Sequence, residues 1–190
     1  MNTQTEAVAT TNHVNGVDVM ALSDTIQAVR QDPGLAEFRF RASNRWIDCG
    51  HNRSTVQAFH GCRQEDGSRD GPFVLDADEP AVLLGKDNGA NPVEYVLHAL
   101  AACLTTSIVY HAAARGIAIR GVESRLEGEL DLQGFLGLSD TVRPGYRKVR
   151  VDMRVASDAP ADTLRELARF SPVYDIVSKS VPVELTVSCE

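Results

Sequence analysis

Basic residues are in the minority, and several common functional signatures are missing. Lysine and arginine number 19 against 26 aspartates and glutamates, a net charge of −7 with a pI near 5.2. That balance leaves no basic patch to release counterions, which argues against a nucleic-acid or anionic-membrane partner. The first residues, Met-Asn-Thr-Gln-Thr-Glu-Ala, carry no basic n-region and no apolar h-region. No secretory signal is therefore expected, and a cytoplasmic protein is the reading. The four cysteines (Cys49, Cys62, Cys103, Cys189) form no CxxC pair and no metal-ligand spacing with the five histidines. No metal or other cofactor is expected, and in a reducing compartment the four should be free thiols. There is no Gly-rich phosphate loop, HExxH pair or GxSxG elbow.

What is present suits one substantial core: 190 residues, 43% of them hydrophobic. Residues 1–15 are small and polar, as in a disordered or loosely docked tail. Val19, Leu22, Ile26 and Val29 recur at helical spacing, so Val17 to about Gln31 reads as a peripheral amphipathic helix stopped by Asp32-Pro33-Gly34. We divide the chain into this N-terminal tail and helix, residues 1–35, and a main domain, residues 36–190.

Phe38 to Cys49 alternates apolar and basic residues and predicts a half-buried strand. Gly50-His51-Asn52 reads as a turn, Arg53 to about His60 as the return strand, Gly61–Gly71 as polar loop and Phe73–Asp76 as a short strand. A hairpin of that kind holds Cys49 and Cys62 too far apart for a disulfide. Asn91 to Gly116 is the longest helical signal, opened by an N-cap, Pro92 and Glu94 in capping-box spacing, and closed by Arg115-Gly116. It is apolar nearly all round, which predicts burial on most sides. It has roughly the length of a bilayer span, but His98, Thr105, Thr106, Ser107 and His111 interrupt it.

Two strands with one wet face follow, near Val122–Leu132 and Val149–Val155, separated by a loop over Gly134–Gly145. The acidic outer face of the first and the basic outer face of the second favour pairing as a hairpin. A helix started by Ser157-Asp158 and Pro160, a shorter one capped by Ser171-Pro172, and a strand over Val181–Cys189 complete the order. The pattern is an α+β domain with antiparallel sheets packed on a long central helix.

Cys103 lies near the middle of that helix. It reads either as a small hydrophobe in packing or as a reactive thiol needing a cation from elsewhere in the fold. Glu94 sits nine residues earlier, about 13 Å along the helix, where capping is its simplest role. His98 and His111 form no evident dyad with Cys103 and read as core or interface histidines.

Asn91-Pro92-Val93-Glu94, Ala99-Leu100-Ala101-Ala102-Cys103, Gly121-Val122-Glu123, Phe170-Ser171-Pro172-Val173 and Val181-Pro182-Val183-Glu184 together resemble the OsmC/Ohr family of osmotically inducible and organic hydroperoxide resistance proteins. The likeness spans about residues 36–190. It implies an intertwined homodimer with the long helices at its core and the sites at the subunit interface. It also implies an oxidative-stress peroxidase whose redox cysteine, here Cys103, attacks a hydroperoxide. In such proteins an arginine of the first hairpin and a glutamate at the start of the long helix support the thiolate. Arg53 and Glu94 are the candidates here. The resolving cysteine of the pattern is replaced by Ser171, which leaves an external thiol as reductant or Cys49, Cys62 or Cys189 as the resolving thiol. The glutamate directly after the proline is replaced by Val93, with Glu94 one residue later. The alternative that these departures suggest is a non-peroxidase relative binding a small apolar or acyl ligand at the dimer interface.

Overall fold

The computed structural model describes residues 12–189. The expected N-terminal tail falls outside them up to residue 11, but residues 13–18 form a small hairpin, β1 (His13–Val14) with β2 (Val17–Asp18). Its turn, Asn15-Gly16, takes positive φ at both residues, +56° and +78°, the geometry an Asn-Gly pair adopts most easily. The Asn15 side chain anchors the hairpin to the main domain: Nδ2 donates to the Ile117 carbonyl at 3.0 Å, and Oδ1 accepts from the Ile119 amide at 2.7 Å. Asp18 caps α1 (Val19–Gln31), which therefore starts two residues later than the periodicity suggests. No α1 residue is fully buried.

β3 (Ser43–Asp48) and β4 (His51–Val56) form the first main-domain hairpin, in register Arg45 to Arg53. Two expectations change here. The strand predicted from Phe38 starts only at Ser43 and is exposed throughout, because no second layer covers it. The return strand ends at Val56; β5 (Phe59–Gly61) turns into β6 (Gln64–Asp66), so strand lies inside the predicted polar loop. The turn between them uses Cys62 and Arg63 at φ +49° and +63°, with no Gly or Asn to announce it. β7 (Phe73–Ala77) pairs with β4 and completes the three-stranded sheet β3–β4–β7.

α2 (Pro92–Ala113) follows, capped as the sequence predicts. Asn91 Oδ1 accepts from the Val93 amide at 2.9 Å, and Glu94 Oε2 accepts from the Asn91 amide at 2.9 Å. β8 (Ile119–Glu129) and β9 (Lys148–Ser157) pair antiparallel, joined through a short α3 (Leu132–Phe135). The expected charge pairing is present: Glu123 faces Arg154, Arg125 faces Asp152, and Glu127 faces Arg150 at 2.9 Å. Cross-strand pairs of this kind fix register more than they add stability.

α4 (Ala161–Ala168) and α5 (Pro172–Ser178) close the core. Leu100, Leu104, Ile108 and Ala112 recur down one stripe of α2 and are buried. Ile108 and Ala112 meet Leu164 and Leu167 of α4, flanked by Met153 and Val155 of β9. Each such leucine contributes roughly 1.5–3 kcal/mol by leaving water. The opposite stripe, His98, Ala102, Thr106 and Tyr110, is exposed, so α2 is covered on one side rather than nearly all round. α2 is the one described helix long and apolar enough to cross a bilayer, and its buried stripe marks it as a core helix.

The strand predicted over Val181–Cys189 is not formed. The segment is exposed, with no ladder partner among the described residues. A strand exists only by pairing with an edge, and no such pairing is made here among the described residues.

Candidate functional site

Cys103 occupies the border between the two faces of α2. Ala102 and Thr106 beside it are exposed, Leu104 and Ser107 are buried, and the cysteine itself is half-buried with a free thiol. Its sulfur makes no hydrogen bond among the described residues. The Thr106 hydroxyl is turned away, donating to the Ala102 carbonyl one helical turn back at 3.0 Å. His98 is exposed rather than part of the core. The His111 ring stacks on Phe170 with centroids 4.2 Å apart. Burial and then the nearby Arg115 charge hold His111 below the ordinary imidazole pKa, so it is neutral at pH 7.

The other three candidates are each engaged elsewhere within the chain. Glu94 is exposed and serves the capping box. Ser171 is 1% exposed; its Oγ accepts from the Tyr174 amide at 3.1 Å as the N-cap of α5. Arg53 lies on β4 and grips Asp76 of β7 side-on, Nε to Oδ1 at 2.9 Å and Nη2 to Oδ2 at 3.0 Å. No hydrogen bond joins any of the three to Cys103 among the described residues. The single chain thus presents a thiol, a carboxylate and a guanidinium without assembling them.

Sequence reasoning missed Asp76 as the carboxylate partner of Arg53. Strand register places the two opposite each other, and His51, two residues before Arg53, shares that face. His51 Nε2 meets Asp76 Oδ1 at 2.9 Å. The hydrogen bonds from Arg53 and then His51 keep the Asp76 carboxyl below the usual carboxylate range. Two tyrosines hold the start of α2, one to this region and one to the segment before β9. Tyr95 donates to the Asp76 carbonyl at 2.7 Å, and Tyr146 to the Val93 carbonyl at 2.9 Å. Burial, then the Glu94 charge, raise the Tyr146 phenol above its ordinary pKa.

The loop between β7 and α2 is built around Asp78, a carboxylate 1% exposed. It accepts from the backbone amides of Glu79 (2.8 Å), Lys86 (3.2 Å) and Asn88 (3.1 Å) and from the Asn88 side chain (2.7 Å). Burial alone would raise its pKa, but these donors outweigh it and the net shift is downward. Gly85 and Gly89 allow the tight path: an added Cβ would lie 1.8 Å from the Glu79 carbonyl oxygen and 2.1 Å from that of Asp76. The loop delivers Glu79 to the side chain of Asn91, so one buried carboxylate helps set the helix entry.

Fold and site together define an α+β domain bearing a helix-borne free thiol. The family model for OsmC-like proteins matches residues 85–186, more than half of the chain, and the chain belongs to that family. Among solved structures, an OsmC-like protein from Mycoplasma pneumoniae aligns with TM-score 0.53 and 16% identity, over 75% of this chain and 89% of its own. An OsmC-like protein of unknown function from Vibrio cholerae aligns with TM-score 0.53 and 14% identity, over 77% and 95%. An organic hydroperoxide resistance protein OsmC from Legionella pneumophila shows 22% identity over 79% and 96%, with TM-score 0.49. No curated protein matches the chain. The first two likenesses establish the shared fold.

Proposed function

We propose that this protein is a homodimeric, cytoplasmic thiol protein of the OsmC-like family that reduces organic hydroperoxides through Cys103. The family includes proteins described as organic hydroperoxide resistance proteins, which frames a peroxide-related role. The observation that carries the reading is the position of Cys103: a free, half-buried thiol on α2, inside the matched segment and at the border of an uncovered helix face. In the first step the thiol attacks the peroxide O–O bond, giving a sulfenic acid and releasing the alcohol ROH. Ser171 has no thiol to close a disulfide. An external thiol R′SH therefore condenses with the sulfenic acid, releasing water, and a second R′SH restores Cys103 and leaves as R′SSR′.

Two features support a second copy as partner. The exposed stripe of α2, His98, Ala102, Thr106 and Tyr110, is largely small or apolar. Trp46 is 71% exposed and Phe73 59% on the β3–β4–β7 sheet, which no helix covers among the described residues. A second copy could supply the Arg53 or Glu94 that the family likeness assigns to Cys103, since no hydrogen bond joins them among the described residues of the single chain.

One equivalent of cumene hydroperoxide followed by peptide mapping tests the reading: Cys103 should gain one oxygen before Cys49 or Cys62 reacts. A second reading, an apolar or acyl ligand held at the dimer interface, draws on the same uncovered face and on Ser171 and Val93. A ligand adduct in native mass spectrometry, with Cys103 inert to peroxide, would favour it.

A further inference from the structure

Arg45, Arg53 and Asp76 form one row across the β3–β4–β7 sheet, a residue from each strand. The charges along it run positive, positive, negative. Arg45 and Arg53 are like charges directly opposite one another, and their repulsion drives the two guanidinium groups apart. A long side chain under that push spreads over several rotamers unless a partner fixes it.

Asp76 supplies the fixing. Its carboxylate takes Arg53 Nε at 2.9 Å and Nη2 at 3.0 Å, a two-point grip that sets the plane of the guanidinium as well as its place. His51 Nε2 meets Oδ1 of the same carboxylate at 2.9 Å and opposes its rotation. The backbone beneath is held as well. Tyr95, near the start of α2, donates to the Asp76 carbonyl at 2.7 Å. Gly89 passes so close to that carbonyl oxygen that an added Cβ would lie 2.1 Å from it. The Arg53 and Asp76 side chains are 40% and 29% exposed, so as an ion pair they add only modestly to stability. What the grip chiefly supplies is direction.

We propose that Asp76 is a positioning residue, holding the Arg53 guanidinium in the orientation that presents its remaining N–H groups to the Cys103 thiolate of a second copy. The inference rests on Arg53 of one copy supporting Cys103 of the other, as in the dimeric function proposed above. Asp76 itself touches neither sulfur nor peroxide. Its charge alone works against the thiolate, because a carboxylate one guanidinium away repels a second anion. Its effect is favourable only through the direction it gives Arg53. Lysine, a point charge without a fork, cannot take Arg53's place in the grip.

The sign of one substitution separates positioning from charge. Alkylation of Cys103 by iodoacetamide, followed on the full chain by peptide mapping from pH 6 to pH 9, reports the thiolate fraction without peroxide chemistry. Asp76→Asn should slow alkylation at pH 7 at least about threefold and move its half-maximal pH upward, although it removes a negative charge. Arg53→Ala should do the same, and the double variant should be no slower than Arg53→Ala alone. Arg53→Lys keeps both charges and should also alkylate more slowly than the parent. An Asp76→Asn protein that alkylates at the parent rate or faster would overturn the proposal, as would an Arg53→Lys protein that matches the parent. Additive losses in the double variant would overturn it too, by showing that Asp76 acts apart from Arg53. Cumene hydroperoxide is a separate readout. A Cys103 that alkylates in the expected pattern but resists peroxide would remove the peroxidase function and support the role of Asp76.

Discussion

Asp76 takes Arg53 through both of its carboxylate oxygens, at 2.9 and 3.0 Å, and His51 through one of them, also at 2.9 Å. The guanidinium that the family likeness assigns to thiolate support is therefore held on the β3–β4–β7 sheet by a carboxylate other than Glu94. Side-on pairing leaves Nη1 of Arg53 without a partner from Asp76.

The same pair sets an acid response. The folded pKa of Asp76 is depressed, so its contribution to stability is present above the unfolded value of about 3.9 and is lost as pH falls through the folded value. Thermal melts from pH 7 to pH 3 should show this loss. Asp76→Asn should start from a lower midpoint at pH 7 and fall less on acidification below about pH 4. A variant that tracks the parent at every pH would show that the pair contributes nothing.

Leu167 is 0% exposed and sits where α4 meets α2. Leu167→Ala should cost about 2–5 kcal/mol in urea unfolding, through lost burial and the cavity left behind. A loss under about 1 kcal/mol would mean that α4 packs more loosely than the buried contacts indicate.

Ser171 gives a paired prediction. Ser171→Ala removes the N-cap of α5 and should cost about 0.5–2 kcal/mol. Ser171→Cys restores the thiol that the likeness places here, and peroxide should then drive a disulfide to Cys103, read by non-reducing peptide mapping. A Cys103 still unpaired after peroxide would mean that the two positions have diverged beyond the exchange of one atom.

The uncovered stripe of α2 predicts association. Sedimentation velocity should report a species of twice 20.6 kDa, and Tyr110→Glu, placing a charge on the exposed face, should shift it toward the single chain. A monomer at micromolar concentration in the parent would leave the exposed sheet and helix faces without their expected cover.

Legibility in the sequence followed locality. The α2 cap was readable because Asn91, Pro92 and Glu94 act within one turn. The β8–β9 hairpin was readable because period-two patterning and opposed charge both survive in the one-dimensional chain. The β5–β6 turn was not, because Cys62 and Arg63 adopt left-handed backbone that their identities do not advertise. In the single chain β3 is exposed and α2 is covered on one side, because periodicity shows that a face is apolar, not what covers it. At the candidate site, the capping role of Glu94 was legible. The Arg53–Asp76 pair was not, since it depends on the register of two strands separated by the β5–β6 hairpin.

The oxidation state of Cys103 after one equivalent of cumene hydroperoxide tests the central claim most directly. With dimedone present, the account predicts a sulfenic-acid adduct at Cys103 that forms ahead of any change at Cys49 or Cys62, and a thiol that returns when an external thiol replaces dimedone. A Cys103 that remains a thiol while the exposed cysteines oxidise would contradict it.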